Sequence, residues 1–130
     1  MTRNGGFEAL ESSDGRSLYY VKGRYTRGLW TVPVEGGPED RVSGFGSLTA
    51  SSWTTIDHGG ILWLDVTASN PPSVIRSYDP ATHEVSKIAE VPGYVISSAT
   101  GFHAVRDGSI VMWSQLDRTV HDLMLVERFR

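Results

Sequence analysis

The chain has 130 residues, a formal net charge of −3, 39% hydrophobic and 21% charged residues, and no cysteine. That length suffices for one hydrophobic core, and the balance argues against disorder driven by charge excess and against nucleic-acid binding through bulk positive charge. Disulfides, iron–sulfur clusters and thiolate zinc sites are excluded, and no run approaches the ~18 apolar residues of a membrane span or the apolar core of a signal peptide.

Fourteen glycines, and no Gly- and Pro-free window with apolar residues at i, i+3, i+4 and i+7, predict an all-β chain. In chain order, "FEALES" and "SLYYVK" read as two strands joined at Asp14-Gly15. That pair favours a type I′ hairpin turn, because both central positions of such a turn need positive φ. A basic loop, "KGRYTRG", leads to a third strand, "GLWTVPV"; "EGGPED" then turns into a short fourth strand around Asp40 to Val42. The same order returns in "TTIDHGGILWLDV", where Asp57 opens the turn, followed by "VIRSYDP", "PATHE" and a fourth strand around Val85 to Ala89. It returns again in "HAVRDGSIVMWSQ", with Asp107-Gly108 at the turn, followed by "DLMLVERF".

Six residues after each aspartate stands a large aromatic: Tyr20, Trp63 and Trp113. In the third strands Leu29, Ile75 and Leu123 share one register and Val32, Tyr78 and Val126 another. The aspartates lie 43 and 50 residues apart (57 − 14 and 107 − 57), near the period of four-stranded propeller blades. A sandwich or small barrel would have equally short strands, but nothing in it requires every fourth strand to restart one phrase. The expected architecture is therefore a partial β-propeller of two four-stranded blades and one three-stranded blade. It forms a single array over 1–130, with blades at about 5–43, 47–91 and 97–130. Tyr20, Trp63 and Trp113 are expected to pack between blades.

"GGFEALESSDGRSLYYVKGRYTRGLWTVPVEGG" resembles the TolB-like, WD40-like (PD40) propeller repeat, in which a serine-proline-aspartate-glycine turn precedes a strand, a loop and a strand ending in two glycines. Ser13 stands in the proline place. The second unit, with Asp57-His58-Gly59-Gly60, is a poorer match; the third keeps Asp107-Gly108. The ending is similar to the last blades of longer bacterial propeller chains. The resemblance implies a non-catalytic module for protein or peptide interaction. Because such relatives have six or seven blades, it further implies completion by self-association, most simply a dimer closing six blades.

The chain shows no nucleophile elbow, H-E-x-x-H, P-loop or dinucleotide fingerprint. "GFGSLTASS" lacks the helix that a phosphate cradle needs and reads as the loop between blades one and two. The histidines match no compact metal motif, and neither a metal nor a cofactor is expected. His103, on the inner strand of blade three, is the candidate for lining a central channel. The loops between second and third strands and between blades are the expected partner face. There Lys22, Arg24, Tyr25 and Arg27, joined by Tyr94 and Arg118, would meet an acidic segment or a carboxylate through forked and stacking guanidinium contacts. The competing reading is a fragment or accessory propeller of an enzyme (lyase, hydrolase or peptidase gating propeller) that binds a small ligand at the channel mouth. Neither nucleic acid nor membrane is expected as a partner.

Overall fold

The computed structural model describes residues 6–46, 48–66, 72–93, 95, 101–117 and 120–127, with backbone alone at 116, 117, 120–122 and 127. Alternating short runs of β-branched and aromatic residues separated by Gly- and Asp-rich turns form eleven strands among the described residues. The first sheet holds β1 (Glu8–Glu11), β2 (Ser17–Val21), β3 (Leu29–Pro33) and β4 (Asp40–Val42). The second holds β5 (Trp53–Thr55), β6 (Ile61–Asp65), β7 (Ser73–Asp79) and β8 (Glu84–Val91). The third holds β9 (Phe102–Ala104), β10 (Ile110–Asp117) and β11 (Val120–Glu127). Within each sheet, every strand pairs antiparallel with the next in sequence.

The three sheets repeat one register. Tyr20 pairs with Trp30, Trp63 with Arg76 and Trp113 with Met124, each partner one residue beyond Leu29, Ile75 or Leu123. Across the inner strands, Ala9, Trp53 and Phe102 pair with the same three aromatics. The fold is therefore all-β, a partial propeller of two four-stranded blades and one three-stranded blade.

The turns depart from expectation at one place. Asp14-Gly15 is not a type I′ turn: Gly15 has φ +71°, but Asp14 is not in the positive-φ region. The Gly15 N–H bonds the Ser12 carbonyl, and a wider loop closes with Ser12 N–H on the Ser17 carbonyl. The Asp14 carboxylate is engaged locally, accepting from the Ser12 hydroxyl at 2.6 Å and the Arg16 N–H at 3.1 Å. Those bonds hold its acid below the usual carboxylate range, and they fix an aspartate-capped turn in place of the two-residue one. The third copy repeats this geometry with Gly108 N–H on Val105, Val105 N–H on Ile110, and Asp107 accepting from Ser109. The type I′ form occurs in the second copy, where His58 (φ 61°, ψ 22°) and Gly59 (φ 75°) occupy the central positions between Asp57 and Gly60.

Because side chains alternate across a strand, each blade has two faces. The face of blade one that carries Leu10, Tyr19, Val21, Leu29 and Val42 packs against Trp53, Ile61, Trp63 and Tyr78 of blade two. Blade two's opposite face, with Leu62, Leu64, Ile75 and Val91, packs against Phe102, Val111, Trp113, Met124 and Val126 of blade three. We call the face bearing Trp63 and Trp113 leading and the other trailing. Phe45, from the loop between blades one and two, fills the first core, 4.4 Å from the Trp63 ring and 5.1 Å from Tyr78 in an edge arrangement, a favoured aromatic geometry.

Burial predicts contrasting costs for the same deletion. Leu64→Ala, in the second inter-blade core, is expected to destabilise by about 2–5 kcal/mol, and Leu123→Ala, on the trailing face of blade three that is exposed within one chain, by less than about 0.5 kcal/mol when measured on the unassociated single chain. Urea unfolding of both variants checks the pair; equal losses would refute the assignment of faces.

Candidate functional site

β5 lies beside both β1 and β9, so the first turns of the three blades converge at one end of the array. Two contacts lock them. The Gly59 N–H donates to Ser13 Oγ at 2.8 Å. Asp57 holds blade three twice, through its N–H to the Arg106 carbonyl at 2.8 Å and its carboxylate to Arg106 Nε at 2.8 Å. Between the turns lies a cavity of about 390 Å³ whose wall includes Glu11, Ser13, Thr55, Asp57 and Arg106. A second, of about 340 Å³, opens beside it along His58, Tyr78, Asp79 and Glu84. Hydroxyls and mixed charges line the first, which suits hydrogen bonding to a polar ligand more than burial of an apolar one.

This turn end was missed as a site in the sequence, although the repeated aspartate signalled it. Three turns at one phase of a radial repeat must meet at one end, and the blade angle decides that they touch. Among the described residues, no group of three or more His, Asp or Glu side chains is placed to hold a metal ion.

The expected partner face lies at the other end of the strands. Arg24, Tyr25 and Arg27 are exposed, Tyr25 by 74%, and no hydrogen bond or ion pair holds their side chains among the described residues. The loop is anchored at its far end by the Gly28 N–H on the Leu48 carbonyl at 3.0 Å. Lys22 is drawn away from this group. It leaves the end of β2 on the same face as Tyr20, where both donate to the Glu39 carboxylate. Lys22 also stands 4.9 Å, and Arg41 5.5 Å, from the Trp30 ring, an arrangement in which the ring's negative face meets cations. Trp63 and Trp113 lie in the two inter-blade cores, whereas Tyr20 is buried on blade one's leading face beside this cluster.

His103 is exposed and pairs with Met112, which pairs with Leu125. That row belongs to the trailing face of blade three. Tyr94 and Arg118 lie outside the described residues. The loop between blades one and two offers less free surface than its glycines suggest, since Phe45 and Leu48 are buried in the core.

No family model and no curated protein sequence matches the chain. Solved structures match its fold. Over 93% of this chain and 33% of the other, it is similar to an oligogalacturonate lyase in complex with manganese, with a TM-score of 0.66 and 15% identity. Over 98% and 31%, it is similar to a eukaryotic initiation factor, with a TM-score of 0.63 and 9% identity. Over 96% and 38%, it is similar to a candidate 6-phosphogluconolactonase from Bacteroides fragilis, with a TM-score of 0.50 and 12% identity. The chain spans roughly a third of these neighbours' lengths. At such identities the likeness is one of fold, a propeller-like one.

Burial, then the Glu39 carboxylate, pushes the Tyr20 phenol above its ordinary value of 10.0, and burial does the same to Tyr19 and Tyr78. An unfolded tyrosine loses its proton near pH 10, while the folded one keeps it to higher pH. The contribution of these groups to stability is thus complete below pH 10 and is lost as pH rises beyond it, by up to about 1.4 kcal/mol per pH unit for each group. Urea midpoints at pH 8, 10 and 11 are expected to fall over the last interval and to fall less in Tyr20→Phe; an equal fall in that variant would remove Tyr20 from the account.

Proposed function

We propose that the chain is a non-catalytic propeller module of the TolB-like, WD40-like kind that engages protein or peptide partners and completes its array by associating with itself. The simplest closed form is a ring of six blades from two copies. The observation that carries this reading is the repeated packing of leading face on trailing face, made twice within the chain, beside a trailing face of blade three on which Leu123 is 73% and Leu125 51% exposed. A second copy's blade one brings the same type of leading face, with Trp30 half-buried between Lys22 and Arg41. Repeating an existing packing closes a ring head to tail and leaves no apolar face in water. The unpartnered Arg24, Tyr25 and Arg27 support an acidic segment as the partner at the loop end.

Binding of a small polar ligand at the turn end, as in an enzyme's accessory propeller, is a second reading. It is supported by the cavity between Asp57 and Arg106, and a ligand whose thermal stabilisation disappears in Arg106→Ala would carry it.

Light scattering over a tenfold concentration range tests the ring. The expected mass is twice 14.3 kDa, reverting to one chain in the double variant Leu123→Lys, Leu125→Lys with an unchanged β-type circular dichroism spectrum. A folded single chain at every concentration overturns ring closure.

A further inference from the structure

In blades one and two the third strand carries a fourth on its outer side: β3 pairs with β4, and β7 with β8. Blade three repeats their register, with Leu123 in the place of Ile75 and Val126 in that of Tyr78. Yet among the described residues its sheet ends at β11. β11 runs eight residues, from Val120 to Glu127, so its outer edge presents a long row of backbone donors and acceptors. Such an edge is a template for an added strand.

We propose that the outer edge of β11 is a peptide-binding site, which takes an extended segment of a partner protein as the antiparallel fourth strand of blade three. The internal repeat specifies that segment. On β7 the apolar partners are Ala89 opposite Ile75 and Val85 opposite Tyr78, with Lys87 opposite Arg76 between them. By register, a segment added to β11 places a small apolar residue opposite Leu123, a β-branched one opposite Val126 and a charged one opposite Met124. Main-chain bonding supplies the attraction, and the alternating side chains supply the selectivity. This inference rests on reading the chain as an interaction module, but it does not depend on ring closure.

The chain's own fourth strand provides the probe, a capped peptide EVSKIAEV with the sequence of Glu84–Val91. Hydrogen exchange is followed on the whole chain with and without peptide, against a control peptide carrying Ser86→Pro, which lacks a strand N–H. The expected result is at least ~tenfold slower exchange along β11 on addition of EVSKIAEV, with β7 unchanged and the proline peptide inert. Three results would overturn the site: no slowing with EVSKIAEV, equal slowing with the proline peptide, or β11 amides as slow as those of β10 before any peptide is added. The last would mean that the edge is already filled, by a second copy or by another part of the chain. Light scattering on the same samples separates the two readings. A two-chain mass without peptide protection keeps the ring and ends the edge site, whereas protection on a species holding one copy of the chain at every concentration keeps the edge site and ends the ring.

Discussion

Every feature of this chain follows from a sheet that is apolar on both faces. An antiparallel sheet with one wet face alternates apolar and polar residues along each strand. β6 instead reads Ile61, Leu62, Trp63 and Leu64, all buried, and such a strand has no side to give to water. Blade two meets this demand by lying between the other two. Its leading face takes up blade one and Phe45, and its trailing face takes up blade three. The cost falls on the outer blades, each of which has one neighbour among the described residues. The aromatic at the shared position therefore has different surroundings in each copy: Trp63 and Trp113 lie against a preceding blade, while Tyr20 lies with Glu39, Lys22 and Trp30.

The same constraint sorts the polar chemistry. With the faces committed to packing, charge and hydroxyls are left to strand ends, turns and outer edges. At the turn end they act between blades, through Ser13 to Gly59 and Asp57 to Arg106. Arg106 is 78% exposed at its side chain, so that ion pair contributes at most about 1 kcal/mol, and the backbone bond beside it does more to hold the blades in phase. Among the described residues, the Trp53 and Trp63 indole N–H groups are buried without a hydrogen-bond partner. An unsatisfied donor of this kind costs about 1–3 kcal/mol, which the burial of two large rings offsets. Packing between blades thus outweighs polar satisfaction within this core.

How much was legible in the sequence can be judged residue by residue. The aspartate-to-aromatic interval located β2, β6 and β10, and the matching of Leu29, Ile75 and Leu123 placed the third strands in one register, because strand pairing obeys a strict period of two. The turn type at Asp14-Gly15 was misjudged: a dipeptide rule sees φ preferences but not the Ser12 hydroxyl and Arg16 N–H that occupy the Asp14 carboxylate. Lys22 read as one member of a basic loop, yet Glu39, seventeen residues away, takes it onto blade one's face. His103 sits on an inner strand, as its place in the repeat implies, and only the register shows that its row lies on the trailing face. For Lys22 and His103 no local pattern distinguishes the outcome, since each depends on which side of a strand faces a neighbour.

Sequence alone determined that the chain is all-β, that it repeats one four-strand phrase, and that the third copy has three predicted strands, because hydrophobic alternation and turn chemistry are local. Tertiary structure decided which faces meet, that Phe45 belongs to the core, that the three first turns converge around Asp57 and Arg106, and that Leu123 and Leu125 stand exposed where Ile75 is buried. These depend on how one blade is placed against the next, and that placement is set by side chains distant in the chain, such as Asp57 and Arg106, 49 residues apart.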